Sequence, residues 1–117
     1  MAQTPDVTIY HNPRCATSRK ALALLRQRGI EPLVIEYLKA PPDAAELKRL
    51  LKLLGLKPRA LLRKKEAKDV GLDKPSLSDE QIIAGLAKHP IALERPIVVK
   101  GAKAALGRPP ENALKVL

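Results

Sequence analysis

Residues 7–19 read Val-Thr-Ile-Tyr-His-Asn-Pro-Arg-Cys-Ala-Thr-Ser-Arg: an apolar stretch, a short polar loop and the first turn of an amphipathic helix. Cys15, the only cysteine of the 117-residue chain, lies at the junction of the loop and the helix. A thiol in the first turn of a helix faces unpaired backbone N–H groups and the positive end of the helix dipole, which both favour the thiolate. The same N–H groups can bind a tetrahedral oxyanion. The stretch therefore predicts a strand–helix unit that carries an activated nucleophile beside an anion site.

The alternative interpretation of Cys15 is a buried structural cysteine that packs as a small apolar side chain. Basic neighbours favour the reactive interpretation, since Arg14 and Arg19 flank the cysteine and His11 precedes it by four residues. His11 is expected to act as a general base or to hold the loop, and we favour the supporting role.

Ser18 follows Cys15 at the third position, so the motif is Cys-x-x-Ser and not the dithiol Cys-x-x-Cys. A single thiol cannot close its own disulfide after reducing a substrate. Redox chemistry at Cys15 therefore requires an external thiol, such as glutathione or a glutaredoxin-type protein. Ser18 can assist by donating a hydrogen bond to the thiolate or to a bound anion.

The composition predicts a single globular domain over residues 1–117, because 45% of the residues are hydrophobic and no linker divides the chain. The net charge of +10 raises the question of nucleic-acid binding. Aromatic residues make up only 2% of the chain, which leaves no stacking platform for bases. We therefore expect no nucleic-acid partner, and a solvated surface for most of the basic residues.

The chain carries no basic-then-apolar export pattern and no apolar run of about 20 residues, so we expect a cytoplasmic protein without a membrane contact. Its two histidines and lone cysteine lack zinc-ligand spacing, which predicts no metal site. Glycine motifs for phosphates or dinucleotides are absent as well, and we expect no bound cofactor.

Hydrophobic spacing predicts an α/β fold with a mixed four-stranded sheet flanked by helices. A strand, a helix and a second strand come first and suggest a parallel βαβ unit. A helical insertion over about residues 41–90 follows, and the last two strands form an antiparallel hairpin before a final helix. The predicted strands span residues 7–10, 32–37, 96–99 and 104–106. The predicted helices span residues 16–28, 43–54, 59–68 and 78–88, with a last helix after Pro110.

The run from His11 to Arg19 resembles the active-site loop of the ArsC-type arsenate reductases, which are coupled to glutathione and glutaredoxin. The similarity covers about residues 7–117, and the chain resembles the short members of that family, without the longer C-terminal tail of the plasmid-type enzymes. Further matching segments are Arg59–Arg63, His89–Ile91, Glu94–Val99 and Gly107–Pro109.

The resemblance implies a thioredoxin-like fold with a helical insertion between the second and third strands. It also implies that Cys15 is the nucleophile, with His11 and Ser18 assisting the thiolate. Pro96 is expected to be the structural cis-proline at the start of a strand. The implied substrate-binding residues are Arg19, Arg63, Arg95 and Arg108.

The function implied is reduction of arsenate to arsenite, with glutathione as co-substrate and glutaredoxin as partner, in arsenical resistance. The main alternative is a general monothiol, glutathione-dependent oxidoreductase of the same fold that does not act on arsenate. A redox-switched transcriptional regulator of this fold is disfavoured, because such regulators use a second cysteine where this chain has Ser18.

Overall fold

Four strands form one mixed sheet in a computed structural model, which describes residues 6–117. β1 (Val7–His11) pairs in parallel with β2 (Leu33–Glu36) and antiparallel with β3 (Ile97–Lys100). β4 (Lys103–Leu106) closes the antiparallel hairpin with β3, and the strand order is β2-β1-β3-β4. The predicted mixed four-stranded sheet is confirmed, including the parallel first pair.

The helix α1 (Ala16–Gln27) packs on this sheet together with a C-terminal 3₁₀ helix, Pro110–Val116. Apolar side chains at helical spacing on α1 meet the alternate apolar side chains of the strands, so one continuous core forms between them. The predicted last helix is thus of the 3₁₀ type. The buried residues of this core are Val7, Ile9, Ala21, Leu22, Leu25, Val98, Ala113 and Val116.

Two compact units are present along the chain. The sheet unit comprises the described residues up to Ala40 together with Arg95–Leu117, and the helical unit comprises Pro41–Glu94. The helical unit is therefore an insertion between β2 and β3 in sequence. Residues 1–5 lie outside the described residues, and the grouping of residues 1–117 into one domain stays a prediction.

The helical unit contains α2 (Ala44–Leu54), α3 (Lys64–Asp69) and α4 (Asp79–Lys88). Two short 3₁₀ helices, Pro58–Leu61 and Pro90–Ala92, complete it. Its buried side chains include Leu47, Leu50, Leu61, Ile82, Leu86 and Leu93.

The ends of α2 follow from its sequence. The Asp43 carboxylate caps its start and accepts a hydrogen bond from the backbone N–H of Glu46 at 2.8 Å. Gly55 ends the helix in the left-handed conformation, with a φ of 68°, which glycine adopts without a steric penalty.

The predicted continuous helix over residues 59–68 is wrong, because the chain is extended at Leu62 and Arg63. Leu62 forms an isolated antiparallel bridge with Leu93. The backbone N–H of Arg63 donates to the carbonyl of Ala92 at 2.8 Å. Pairing with a distant segment thus replaces the helical hydrogen bonds at this point.

None of the helices found between residues 6 and 117 is long and apolar enough to cross a membrane.

Candidate active site around Cys15

Cys15 is the N-cap residue of α1, with an extended backbone (φ −93°, ψ 119°). Its backbone N–H donates to the carbonyl of Asn12 at 3.0 Å, and its own carbonyl accepts from the N–H of Arg19 at 3.0 Å. The side chain is partly exposed, forms no cap hydrogen bond, and has no acidic residue beside it in the first helical turn. The positive end of this helix is therefore not neutralised by any side chain of its first turn.

The pKa of the Cys15 thiol lies below its ordinary value. Partial burial alone raises this pKa, but nearby donors more than offset that effect. The backbone N–H of Ser18, the guanidinium of Arg95 and the backbone N–H of Thr17 all stabilise the thiolate form. The cysteine is thus prepared for nucleophilic chemistry rather than for packing.

Arg95 reaches the sulfur from the start of β3. Its side chain is only 8% exposed, and the peptide bond to Pro96 is cis, as the resemblance implies. Gly107 lies against Pro96: its N–H donates to the Pro96 carbonyl at 2.8 Å, and a Cβ there would come within 2.7 Å of the proline ring. Arg108 donates from Nη1 to the carbonyl of Arg95 at 3.1 Å. Two of the predicted arginines are therefore brought together at this end of the sheet unit.

The hydroxyl of Ser18 fixes the start of the loop that precedes Cys15 through contacts with His11 and Asn12. It is fully buried, lies 2.6 Å from Nδ1 of His11 and accepts from the backbone N–H of Asn12 at 3.1 Å. A hydroxyl enclosed in this way is not accessible to an anion from solvent. The backbone N–H of Ser18, and not its hydroxyl, is the group that serves the Cys15 sulfur.

His11 is 6% exposed, and its pKa is lowered. Burial is the largest cause, Glu36 opposes the shift, and the positive charges of Arg26 and Arg19 add to it. A neutral imidazole bonded to Ser18 suits the supporting role that we favoured for His11. Catalytic participation of His11 stays a prediction.

The remaining two predicted arginines occupy different settings. Arg19 is exposed on α1 and donates from Nη1 to the carbonyl of Pro13 at 2.9 Å. Arg63 belongs to the helical unit, where it donates to Glu66 at 3.1 Å and to Glu94 at 3.3 Å. Burial works against its charged form, but these two carboxylates raise its pKa above the ordinary value. Anion binding by either arginine stays a prediction.

Two open cavities flank the loop within the sheet unit. The larger has a volume of about 600 Å³ and runs along α1, and the smaller has a volume of about 290 Å³. The larger is lined by His11, Pro13, Arg19, Leu22, Ala23, Arg26 and Gln27. Small molecules can therefore approach the loop from either side.

Sequence reasoning missed Asn12 and Tyr37. Asn12 is 4% exposed, and its Oδ1 accepts from the N–H of Arg14 at 3.0 Å, so its side chain and backbone shape the loop before Cys15. The Asn-Pro pair after a strand was an available signal for this turn. Tyr37 is fully buried after β2, near Arg95, and no local pattern marks it.

Among residues 6–117, no group of three or more His, Cys, Asp and Glu side chains is arranged to hold a metal ion.

Comparison with known proteins gives a consistent result. The family model described as "ArsC family" matches residues 10–116. The arsenate reductase of Neisseria meningitidis serogroup A is 48% identical over 116 residues, which cover 97% of this chain and 99% of the relative. The uncharacterized protein YfgD of Escherichia coli K12 is 49% identical over 117 residues, covering 97% and 98%.

Among solved structures, that of the arsenate reductase from Vibrio cholerae superposes with a TM-score of 0.91. It is 50% identical, and the match covers 95% of this chain and 97% of that chain. The predicted thioredoxin-like fold with a helical insertion is confirmed by this likeness together with the strand order.

Proposed function

Because the chain belongs to the ArsC family, we propose that it reduces arsenate to arsenite, with Cys15 as nucleophile and with glutathione and glutaredoxin as electron donors. One observation carries the proposal: the guanidinium of Arg95 and the N-terminus of α1 converge on the Cys15 sulfur and lower its pKa. An ionised sulfur among cationic and N–H donors suits attack on an anionic electrophile.

Binding of arsenate uses the same donors. The oxyanion carries one or two negative charges near neutral pH, and the open N-terminus of α1 and the Arg95 guanidinium screen them from the thiolate. In this proposal Arg108 and Arg19 join from the sheet unit, and the role of Arg63 in anion binding rests on the family resemblance alone. The planar fork of a guanidinium fits a tetrahedral oxyanion better than the single ammonium of lysine does.

The first chemical step forms a bond between the Cys15 sulfur and arsenic. An arsenic–oxygen bond breaks, and that oxygen leaves as hydroxide or, after protonation, as water. Phosphate has a similar shape and charge, so discrimination rests on the easier attack of sulfur on arsenic rather than on binding.

The second step reduces arsenic. The sulfur of glutathione attacks the adduct, a disulfide forms between Cys15 and glutathione, and the electron pair of the broken sulfur–arsenic bond stays on arsenic. Arsenic passes from As(V) to As(III) and leaves as arsenite. Glutaredoxin then reduces the mixed disulfide and restores the Cys15 thiol.

The electrons in this scheme come from external thiols, so no resident cofactor or metal takes part. Such a donor system places the protein in the cytoplasm, where glutathione keeps thiols reduced. The proposal includes neither a nucleic-acid partner nor a membrane contact.

An assay that couples glutathione, glutaredoxin and glutathione reductase to NADPH consumption tests the proposal. We expect NADPH consumption that requires arsenate, glutaredoxin and Cys15 together. The rate should fall to background when arsenate is omitted or when the Cys15→Ser variant is used in place of the wild-type protein. Arsenate-dependent turnover that survives in Cys15→Ser contradicts the mechanism. Glutathione-dependent disulfide turnover without any response to arsenate indicates the monothiol oxidoreductase instead.

A further inference from the structure

Tyr37 lies beside the catalytic loop although it is distant from that loop in sequence. It follows β2 directly, and the last residue of that strand, Glu36, is paired with His11 of β1. Because β1 and β2 are parallel, the residues that follow them meet at the same edge of the sheet. Tyr37 and the loop that begins with Asn12 therefore leave the sheet side by side.

The hydroxyl of Tyr37 is an unusual feature of this edge. The side chain is 0% exposed, and its buried hydroxyl makes no hydrogen bond with any residue between positions 6 and 117. A buried hydroxyl without a partner costs about 1–3 kcal/mol, whereas phenylalanine would fill nearly the same space without that cost. Packing therefore explains the ring of Tyr37 but not its oxygen.

The groups that influence this hydroxyl include Cys15 itself and Arg95, which also stabilises the Cys15 thiolate. Burial raises the pKa of Tyr37, while the side chains of Arg95 and Asn12 are close enough to lower it and negative charge on Cys15 raises it. Arg95 is thus the common neighbour of the phenol and of the thiol. A guanidinium carries five N–H donors, so it can serve both acceptors at once.

We propose that Tyr37 is a positioning residue, whose hydroxyl oxygen accepts a hydrogen bond from Arg95 once Cys15 is ionised and so holds the guanidinium against the sulfur. The oxygen then has its partner in the reactive state of the enzyme. The effect on turnover rests on the proposed function, but the effect on the thiol does not.

The test compares two matched variants, since the chain has only two tyrosines. Tyr10 lies in β1, is 2% exposed and is not among the groups that shift the Cys15 thiol, so Tyr10→Phe makes the same chemical change elsewhere in the core. The rate of Cys15 alkylation is measured against pH. We expect Tyr37→Phe to raise the measured pKa of Cys15 by roughly 0.5–1 unit and Tyr10→Phe to leave it unchanged.

Stability separates positioning from packing. Below the pKa of Cys15, the unfolding midpoint of Tyr37→Phe in denaturant is expected to equal or exceed that of the wild type, because the deleted hydroxyl has no partner there and its burial is unfavourable. Loss of stability with an unchanged thiol pKa overturns the proposal, since it assigns Tyr37 a structural role alone. A failure of arsenate reduction with the expected thiol shift overturns the proposed function and supports this inference.

A spectroscopic measurement keeps the proposal testable if Tyr37→Phe does not fold. The chain has no tryptophan, so Tyr37 is the only tyrosine chromophore left in Tyr10→Phe. Its near-ultraviolet spectrum is expected to change as Cys15 ionises, and adding Cys15→Ser should abolish the change. A spectrum that does not respond to ionisation of Cys15 overturns the proposal.

Discussion

The helices α1 and α4 both begin with an N-cap residue in an extended conformation but differ in what the side chain of that residue does. At α4, Ser78 accepts from the N–H of Gln81 at 3.2 Å, and the Gln81 side chain accepts from the N–H of Ser78 at 2.8 Å. Asp79 and Glu80 add negative charge to the first turn. At α1 the equivalent position is Cys15, without a cap bond from its side chain and without acidic neighbours in the first turn.

The comparison separates a structural helix start from a reactive one. Side chains at the start of α4 bind the N–H group of Gln81 and offset the helix dipole, which leaves a less positive terminus for a ligand. α1 gives up a cap, which is typically worth about 1 kcal/mol, and keeps the positive terminus for a sulfur or an oxyanion. The predictions below test that difference from the largest effect to the smallest.

The largest expected effect is on turnover, when the uncapped N-terminus of α1 receives a capping residue like that of α4. Cys15→Ser places a preferred N-cap residue at the start of α1 and removes the nucleophile. We expect arsenate-dependent NADPH consumption to fall to background, while the free energy of unfolding stays equal or rises by up to about 1 kcal/mol. The coupled assay and denaturant unfolding measure the two quantities. A clear loss of stability would show that the sulfur is needed for packing, against this account.

Removing the positive charge beside the sulfur should give the next largest effect. Arg95→Gln is expected to raise the pKa of Cys15 and to slow its alkylation at neutral pH by about tenfold, since an adjacent opposite charge typically shifts a pKa by one unit or more. Arg28→Gln, at the exposed far end of α1, is the matched control and should react like the wild type. Equal reactivity of the two variants would exclude Arg95 as a source of thiolate stabilisation.

A change at the start of α4 should lower stability without affecting the reactivity of Cys15. Ser78→Ala removes the hydroxyl that accepts from the N–H of Gln81, one of the two hydrogen bonds of the capping box, and is expected to cost about 1 kcal/mol of unfolding free energy. The pKa of Cys15 should not change, because the donors that lower it belong to α1 and β3. A change in Cys15 alkylation kinetics in Ser78→Ala would break the proposed distinction.

The smallest effect is the pH dependence that His11 contributes. Its pKa in the folded state lies below the ordinary value of 6.5, so the unfolded chain binds a proton there more readily. Stability from this group is complete above pH 6.5 and is lost as the pH falls through the lowered folded-state pKa. Denaturant unfolding against pH should show this decline in the wild type and in His89→Gln but less of it in His11→Gln. If the unfolding free energy of His11→Gln declines as steeply with falling pH as that of the wild type, other groups cause the decline.

The sequence was sufficient for the features that depend on near neighbours. The strand before Cys15, the helix after it and the helices predicted to start at residues 43 and 78 follow from residues a few positions apart, and all four are present. The low pKa of Cys15 was also predictable in direction, since the helix terminus is local. These features need no knowledge of how distant segments meet.

Features that depend on distant pairings could not be predicted. The break at Leu62 arises from its bridge to Leu93, and the burial of Tyr37 arises from its position after β2, next to a loop much earlier in the chain. Neither has a local pattern. The positions of the arginines were implied by family resemblance, because a basic residue among many others is, by itself, indistinguishable from a solvated one.

The rate of Cys15 alkylation measured against pH in the wild-type protein, with and without arsenate, tests the central claim most directly. We predict a midpoint clearly below the value of about 8.5 that is typical of an unperturbed thiol, and protection of the thiolate when arsenate is bound. A midpoint at or above that value, with no protection by arsenate, would contradict the account.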